Sequence, residues 1–103
     1  MHEDDRPRYV ISIAAEILST RTYTLRYYEK VGVIKPYRSP GNIRLYSDDD
    51  IALLRRVMTL MDGLGINLAG VEVILRMSKR VAELKWANEE LKSELEKLRR
   101  HKL

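Results

Sequence analysis

The apolar positions change period several times along the chain. Met1 to Arg8 is polar, holds a proline and has no period, which predicts a loose tail. Tyr9-Val10-Ile11 is a β-prone run long enough only for an edge strand. Ile13, Ile17 and Leu18 then share one helical side, predicting a helix from Ile13 to about Leu18 capped by the Ser12 hydroxyl. Ser19-Thr20-Arg21 is a break. Leu25, Tyr28 and Val31 form a second helical stripe from Thr22 to Val31, and Gly32 is a C-terminal stop. Pro40-Gly41-Asn42 is a turn between two short β-prone runs, Tyr37-Arg38 and Ile43 to Tyr46, so a hairpin is expected there.

Beyond the hairpin the period returns to that of helices. Ser47 followed three residues later by Asp50 is a capping-box pattern, and three aspartates suit the positive end of a helix. That helix is expected to run to about Asp62, with Ile51, Leu54, Val57, Met58 and Met61 inward. Gly63 and Gly65 end it. Asn67 can cap a fourth helix, Leu68 to about Met77, with Leu68, Val71, Ile74 and Leu75 inward. From Ser78 onward, Val81, Leu84, Asn88, Leu91, Leu95 and Leu98 fall at the a and d positions of a heptad repeat. Each buried aliphatic side chain is worth roughly 1.5–3 kcal/mol, so such a stripe implies a partner helix. Asn88 at an a position is a register device. A helix of about 24 residues is about 36 Å long, close to the ~34 Å between half-sites one DNA turn apart.

Composition narrows the chemistry. With 103 residues there is room for one small domain plus an extension, and for a thin core that association would supplement. No cysteine is present, which excludes disulfides, thiolate metal sites and cysteine nucleophiles and fits a reducing cytoplasm. No apolar run approaches the ~20 residues of a membrane helix. His2 and His101 are lone, and Asp48 to Asp50 is explained by capping, so neither an enzyme, a metal nor a cofactor is expected. The net charge of +4 hides an asymmetry. Arg6, Arg8, Arg21, Arg26, Lys30, Lys35, Arg38 and Arg44 lie between Arg6 and Tyr46, against only Glu16 and Glu29. Excess positive charge in the first half is the footprint of a polyanion-binding surface.

Two short helices joined by a three-residue break have the form of a helix-turn-helix, and the hairpin is then its wing. The second helix places Tyr23, Arg26, Tyr27 and Lys30 outward, with Arg21 and Thr22 at its start. Arg26 is the expected base reader, because a guanidinium can grip guanine O6 and N7 together; a phosphate clamp is the alternative. Either Tyr27 or Tyr28 is expected to offer its hydroxyl to a phosphate, with Tyr28 the more core-like. Arg38 and Arg44 on opposite arms of the wing should hold the DNA backbone, and Tyr46 and Ser47 could offer donors to a phosphate. A coiled-coil module whose basic face binds an acidic protein is the competing reading. It accounts for the heptads but not for the paired wing arginines.

Thr24-Leu25-Arg26-Tyr27-Tyr28-Glu29, then Gly32-Val33-Ile34, then Arg38, Gly41, Arg44 and Tyr46-Ser47 resemble the N-terminal signature of MerR-type transcription regulators. The resemblance covers Val10 to about Met77. It implies a mainly α fold: residues 1–8 a flexible tail, 9–77 a winged helix-turn-helix DNA-binding domain, and 78–103 a coiled-coil dimerisation helix. It also implies a homodimer on a promoter inverted repeat in double-stranded DNA, in the bacterial cytoplasm and nucleoid. The terminal helices would pair antiparallel, whereas the basic e positions Lys85, Lys92 and Arg99 by themselves lean parallel. Arg38-Ser39-Pro40-Gly41-Asn42 and Gly65-Ile66-Asn67-Leu68-Ala69-Gly70-Val71 look most like the heat-shock repressor (HspR) branch, whose members repress chaperone operons with DnaK as co-repressor. The nitrogen regulators of the GlnR branch share part of this pattern, and promoter-distorting activation is the family's other habit. Arg21 stands where relatives often carry Ser or His. The helix cap must then come from Thr20 or Thr22, or Arg21 itself points at phosphate.

Overall fold

A computed structural model describes residues 3–102. Its first compact unit ends at Ile66 and its second begins at Asn67. In the first unit, β1 (Tyr9–Val10) leads directly into α1 (Ile11–Ile17), followed by α2 (Thr22–Lys30), β2 (Tyr37–Arg38), β3 (Arg44–Tyr46) and α3 (Asp48–Met58). The sheet order is β1-β3-β2, all antiparallel. β3 is central because it pairs with both neighbours: Tyr9 faces Tyr46 and Val10 faces Leu45 on one side, while Tyr37 faces Leu45 and Arg38 faces Arg44 on the other.

α1 departs from expectation in start and in face. Ile11 belongs to the helix, not to the strand, and Val10 is an extended N-cap residue with no side-chain cap, so Ser12 lies inside the helix. The buried side is Ala14, Ala15 and Leu18, whereas Ile13 and Ile17 are about two-fifths exposed. Two alanines let the backbone approach its neighbours closely, and α1 packs on both α2 and β3. The hydropathy pattern weighted the larger isoleucines and so turned the helix the wrong way.

The link between α1 and α2 is tight. Leu18, Ser19 and Thr20 donate their amides back to the carbonyls of Ala14, Glu16 and Ala15. Ser19 sits at φ +53°, the left-handed region that a short polar residue tolerates better than a branched one. α2 starts at Thr22 with Arg21 extended and no side-chain cap, so none of the expected capping hydroxyls is used. Its stop is as expected: Val31 is the C-cap residue and Gly32 follows at φ +86°, where a β-carbon would be strained.

The wing turn is closed by Asn42 donating to the Ser39 carbonyl at 2.7 Å and by Ser39 and Ile43 exchanging bonds, one of them to the Ser39 hydroxyl. Ile43, expected in the strand, lies just outside β3. At α3 the capping box is complete: Asp50 donates its amide to Ser47 Oγ at 3.0 Å, and the Ser47 amide donates to Asp50 Oδ2 at 2.9 Å. Ile51, Leu54 and Val57 are buried; Met58 and Met61 are only half-buried. The helix does not continue as α to Asp62. Thr59–Gly63 widens into a π turn, with Leu64 donating to the Thr59 carbonyl, and Gly65 at φ +68° ends it.

The N-terminal segment is more ordered than a loose tail. Glu3–Asp5 forms a 3-10 turn that touches α3. Arg8 and Tyr9 both donate to the Asp48 carboxylate, at 2.8 and 2.7 Å. That carboxylate lies in the first turn of α3, where negative charge is favoured, and the bond to it holds the Tyr9 phenol above its ordinary pKa. Met1 and His2, also assigned to the tail, lie outside the described residues.

The second unit is one helix, α4 (Leu68–Lys102). Asn67 caps it, its side-chain oxygen accepting from the Gly70 amide at 2.9 Å. The fourth helix does not end near Met77 but runs on without interruption through the heptad segment, so the boundary at 77/78 falls inside it. Val71 is fully buried, and Leu68, Ile74 and Leu75 are half-buried. From Val81 onward every described residue is exposed, the heptad positions included.

Candidate nucleic-acid interface

α2 has two chemically distinct sides. Leu25 and Tyr28 are buried, at 0% and 4% exposure, and fix the helix on its domain. Tyr23 and Tyr27 are exposed, at 66% and 48%, with Arg21, Arg26 and Lys30 exposed beside them and Thr22 half-buried at the first turn. Arg26 Nη1 makes a 3.3 Å bond to the Thr22 hydroxyl one turn back, which steers the guanidinium along the outer side of the helix. The outward set is a cation flanked by amphipathic aromatics, with donors for base edges and phosphates and ring surface for sugars.

Tyr27 and Tyr28 differ in where their side chains lie. Their rings meet at 5.9 Å and 54°, but only Tyr27 reaches solvent. Tyr28 is core, its hydroxyl against Met61 Sδ at 3.8 Å, and burial first, then Asp62 and Tyr27, raises its pKa. Tyr28 therefore supports the surface and does not form it.

The wing differs from expectation in one decisive respect. Arg38 and Arg44, directly opposite each other in the β2–β3 pair, both turn to the same acid on α2. Arg38 Nη2 donates to Glu29 Oε2 at 2.8 Å, and Arg44 Nε donates to Glu29 Oε1 at 2.6 Å. Hydrogen bonding to Arg44 above all holds the Glu29 carboxyl below the usual carboxylate range; burial opposes it, and the bond to Arg38 and the charges of both guanidiniums add to the lowering. The two guanidiniums are not unpartnered cations, although their side chains keep 38% and 26% exposure. In the sequence Glu29 stands out only as the sole acid of α2, with nothing that ties it to the wing.

Tyr46 and Ser47 do not offer hydroxyls to a ligand in this structure. Tyr46 is 0% exposed, and its hydroxyl is buried with no hydrogen-bond partner among the described residues. Desolvation raises its pKa, with Glu29 adding to the effect. Ser47 is 6% exposed and its Oγ is occupied by the capping box. Both were placed on the surface because the sequence puts them at the mouth of α3, but strand alternation turns Tyr46 inward. Among the described residues there is no group of three or more potential metal ligands, and no helix is long and apolar enough to cross a membrane.

A tight helix-turn-helix, a basic aromatic face on its second helix and a hairpin wing tied to that helix are thus in place. Residues 9–78 match the profile of the MerR HTH family regulatory protein. The chain belongs to the MerR family. Its architecture agrees with solved members. It superposes with a TM-score of 0.61 on HiNmlR, a MerR family regulator lacking the sensor domain and crystallised bound to promoter DNA, at 22% identity over 90% of this chain and 76% of that one. A MerR family regulator from Bacillus cereus aligns with a TM-score of 0.57 at 27% identity, over 84% of this chain and 73% of that one.

Among curated MerR relatives, the protein of Streptomyces coelicolor named as heat shock protein HspR is 43% identical over 90% of this chain and 62% of its own length. The GlnR regulator of Bacillus anthracis is 34% identical over 100% of this chain and 84% of its own. The family is one of helix-turn-helix regulatory proteins, and both GlnR and HiNmlR are named as regulators. The chain spans less than two thirds of the HspR relative's length.

Proposed function

We propose that this protein represses transcription of heat-shock and chaperone genes, binding as a homodimer to an inverted repeat in promoter DNA. The observation that carries DNA recognition is the outward face of α2, where Arg26 stands between exposed Tyr23 and Tyr27 with no acidic partner among the described residues. Arg26 reads a base edge, while Arg21, Thr22, Tyr23, Tyr27 and Lys30 with Arg38 and Arg44 hold the backbone. Pairing of two copies is supported by Val81, Leu84, Leu91, Leu95 and Leu98, each at least half exposed along one helical stripe with Asn88 among them. An uncovered stripe of this length is unfavourable in water, and a second α4 covers it. The antiparallel arrangement rests on the family likeness, since charge alone leans the other way.

The heat-shock assignment rests on the 43% identity to the HspR relative, and DnaK as co-repressor comes from the same likeness. The GlnR relative aligned over the whole chain favours, at lower identity, a nitrogen-metabolism regulator as the second reading.

The test begins with selection of a preferred duplex from a random pool. An inverted repeat should emerge, two chains should bind per duplex, and log K should fall steeply with log salt as phosphate contacts release counterions. A slope near zero would refute DNA recognition. Purified DnaK should strengthen the complex on a heat-shock promoter fragment and leave a glutamine-synthetase promoter fragment unaffected; the reverse preference supports the nitrogen reading.

A further inference from the structure

We propose that Glu29 sets the DNA specificity of this protein by acting as an internal phosphate mimic for the wing arginines. This rests on the DNA-binding reading above and goes beyond it. Glu29 lies in the last turn of α2, and its two oxygens are taken by different arms of the wing, Oε2 by Arg38 of β2 and Oε1 by Arg44 of β3. Arg38 and Arg44 face each other across the β2–β3 pair, so one carboxylate binds both arms to the reading helix. Its side chain retains 22% exposure and those of the arginines 38% and 26%, which leaves all three at a surface where a phosphate can arrive.

A carboxylate and a phosphate oxygen are the same kind of partner for a guanidinium. Every phosphate approaching the wing therefore competes with Glu29. Two cations and one anion leave the trio with a single net positive charge. Non-specific binding is almost wholly phosphate contact and bears this competition in full. At a preferred site the base contacts of α2 fix where the backbone lies. The wing is already held to that helix, so phosphate meets the guanidinium edges without a search. Glu29 thus subtracts most from the wrong sequences. It is a positioning residue, acting through Arg38 and Arg44 and not by touching DNA.

The test uses full-length Glu29→Gln, whose amide oxygen still accepts from one arginine. Binding is measured by fluorescence anisotropy over a salt series, on the selected duplex and on a random-sequence duplex of equal length. We expect binding to the random duplex to tighten about three- to tenfold, with a salt slope steeper by about 0.9, the value of one added phosphate contact. The selected duplex should gain less, so the specificity ratio falls. Equal weakening on both duplexes with an unchanged slope would reduce Glu29 to a structural tie and overturn the proposal. A wild-type protein with no salt dependence on either duplex would instead remove the DNA reading beneath it. Circular dichroism checks folding. Should the Gln variant not fold, Glu29→Asp replaces it: its carboxylate is one methylene shorter and cannot hold both guanidiniums as here. It should steepen the slope on the random duplex by a smaller amount, and an unchanged slope in that variant also counts against the mimic.

Discussion

Replacing Arg26 by Ala separates recognition from stability, because its exposed side chain is tied to its helix by one weak contact. The side chain is exposed, and its bond within the described residues is the 3.3 Å contact to Thr22 one turn away. A surface contact of that length between neighbouring turns contributes little, and Ala is the better helix former, so folding stability should change by less than about 0.5 kcal/mol. If Arg26 grips a guanine, losing a bidentate contact costs about 1–3 kcal/mol at that base pair. That is about 5- to 150-fold in affinity. The assay is a set of duplexes carrying every single base-pair change in the preferred site, measured with wild type and Arg26→Ala. The variant should lose affinity for the preferred site and become indifferent to one symmetric pair of positions. Its melting temperature should be unchanged. A uniform loss across all duplexes would show that Arg26 holds phosphate, and a large fall in melting temperature would show that its role is structural.

Three further outcomes follow from particular residues. Ser47→Ala removes the hydroxyl of a complete capping box and should destabilise the protein by about 0.5–2 kcal/mol in urea denaturation, with DNA specificity intact. Tyr46→Phe deletes a buried hydroxyl that has no partner among the described residues; stability should be equal or greater by up to about 1 kcal/mol, and unchanged DNA affinity would verify that Tyr46 is core. Asn88→Leu should raise dimer stability in sedimentation equilibrium at some loss of register, and a weaker dimer would place Asn88 off the pairing stripe.

Legibility from sequence followed how local each determinant is. The cap at Ser47 and Asp50, the stop at Gly32, the turn at Pro40-Gly41-Asn42 and the cap at Asn67 are each decided within four or five residues, and each formed where it was read. α1 was misread because its orientation is decided by close packing of Ala14 and Ala15 on elements distant in sequence, a fact hydrophobicity does not encode. The inner position of Tyr46 likewise depends on which face of β3 packs against α1, a helix distant in sequence. The wing was located correctly, but the role of its arginines was incomplete. Glu29 is nine residues before Arg38 and fifteen before Arg44, and no pattern in the chain announces that one acid will hold both. The π turn at Thr59–Gly63 is invisible to hydropathy, because it differs from continuous α-helix by a single extra residue in the hydrogen-bonded loop.

On the proposed pairing, the uncovered stripe of α4 would also make gene control a matter of dosage. When two copies must meet before two half-sites can be held together, and the chain is scarce, the amount of pairs follows the square of the amount of chain. Halving synthesis then lowers the paired form about fourfold, not twofold. A promoter under such a protein would respond to dilution by growth, to proteolysis and to its own rate of translation with a sharpness that no ligand pocket is needed to supply.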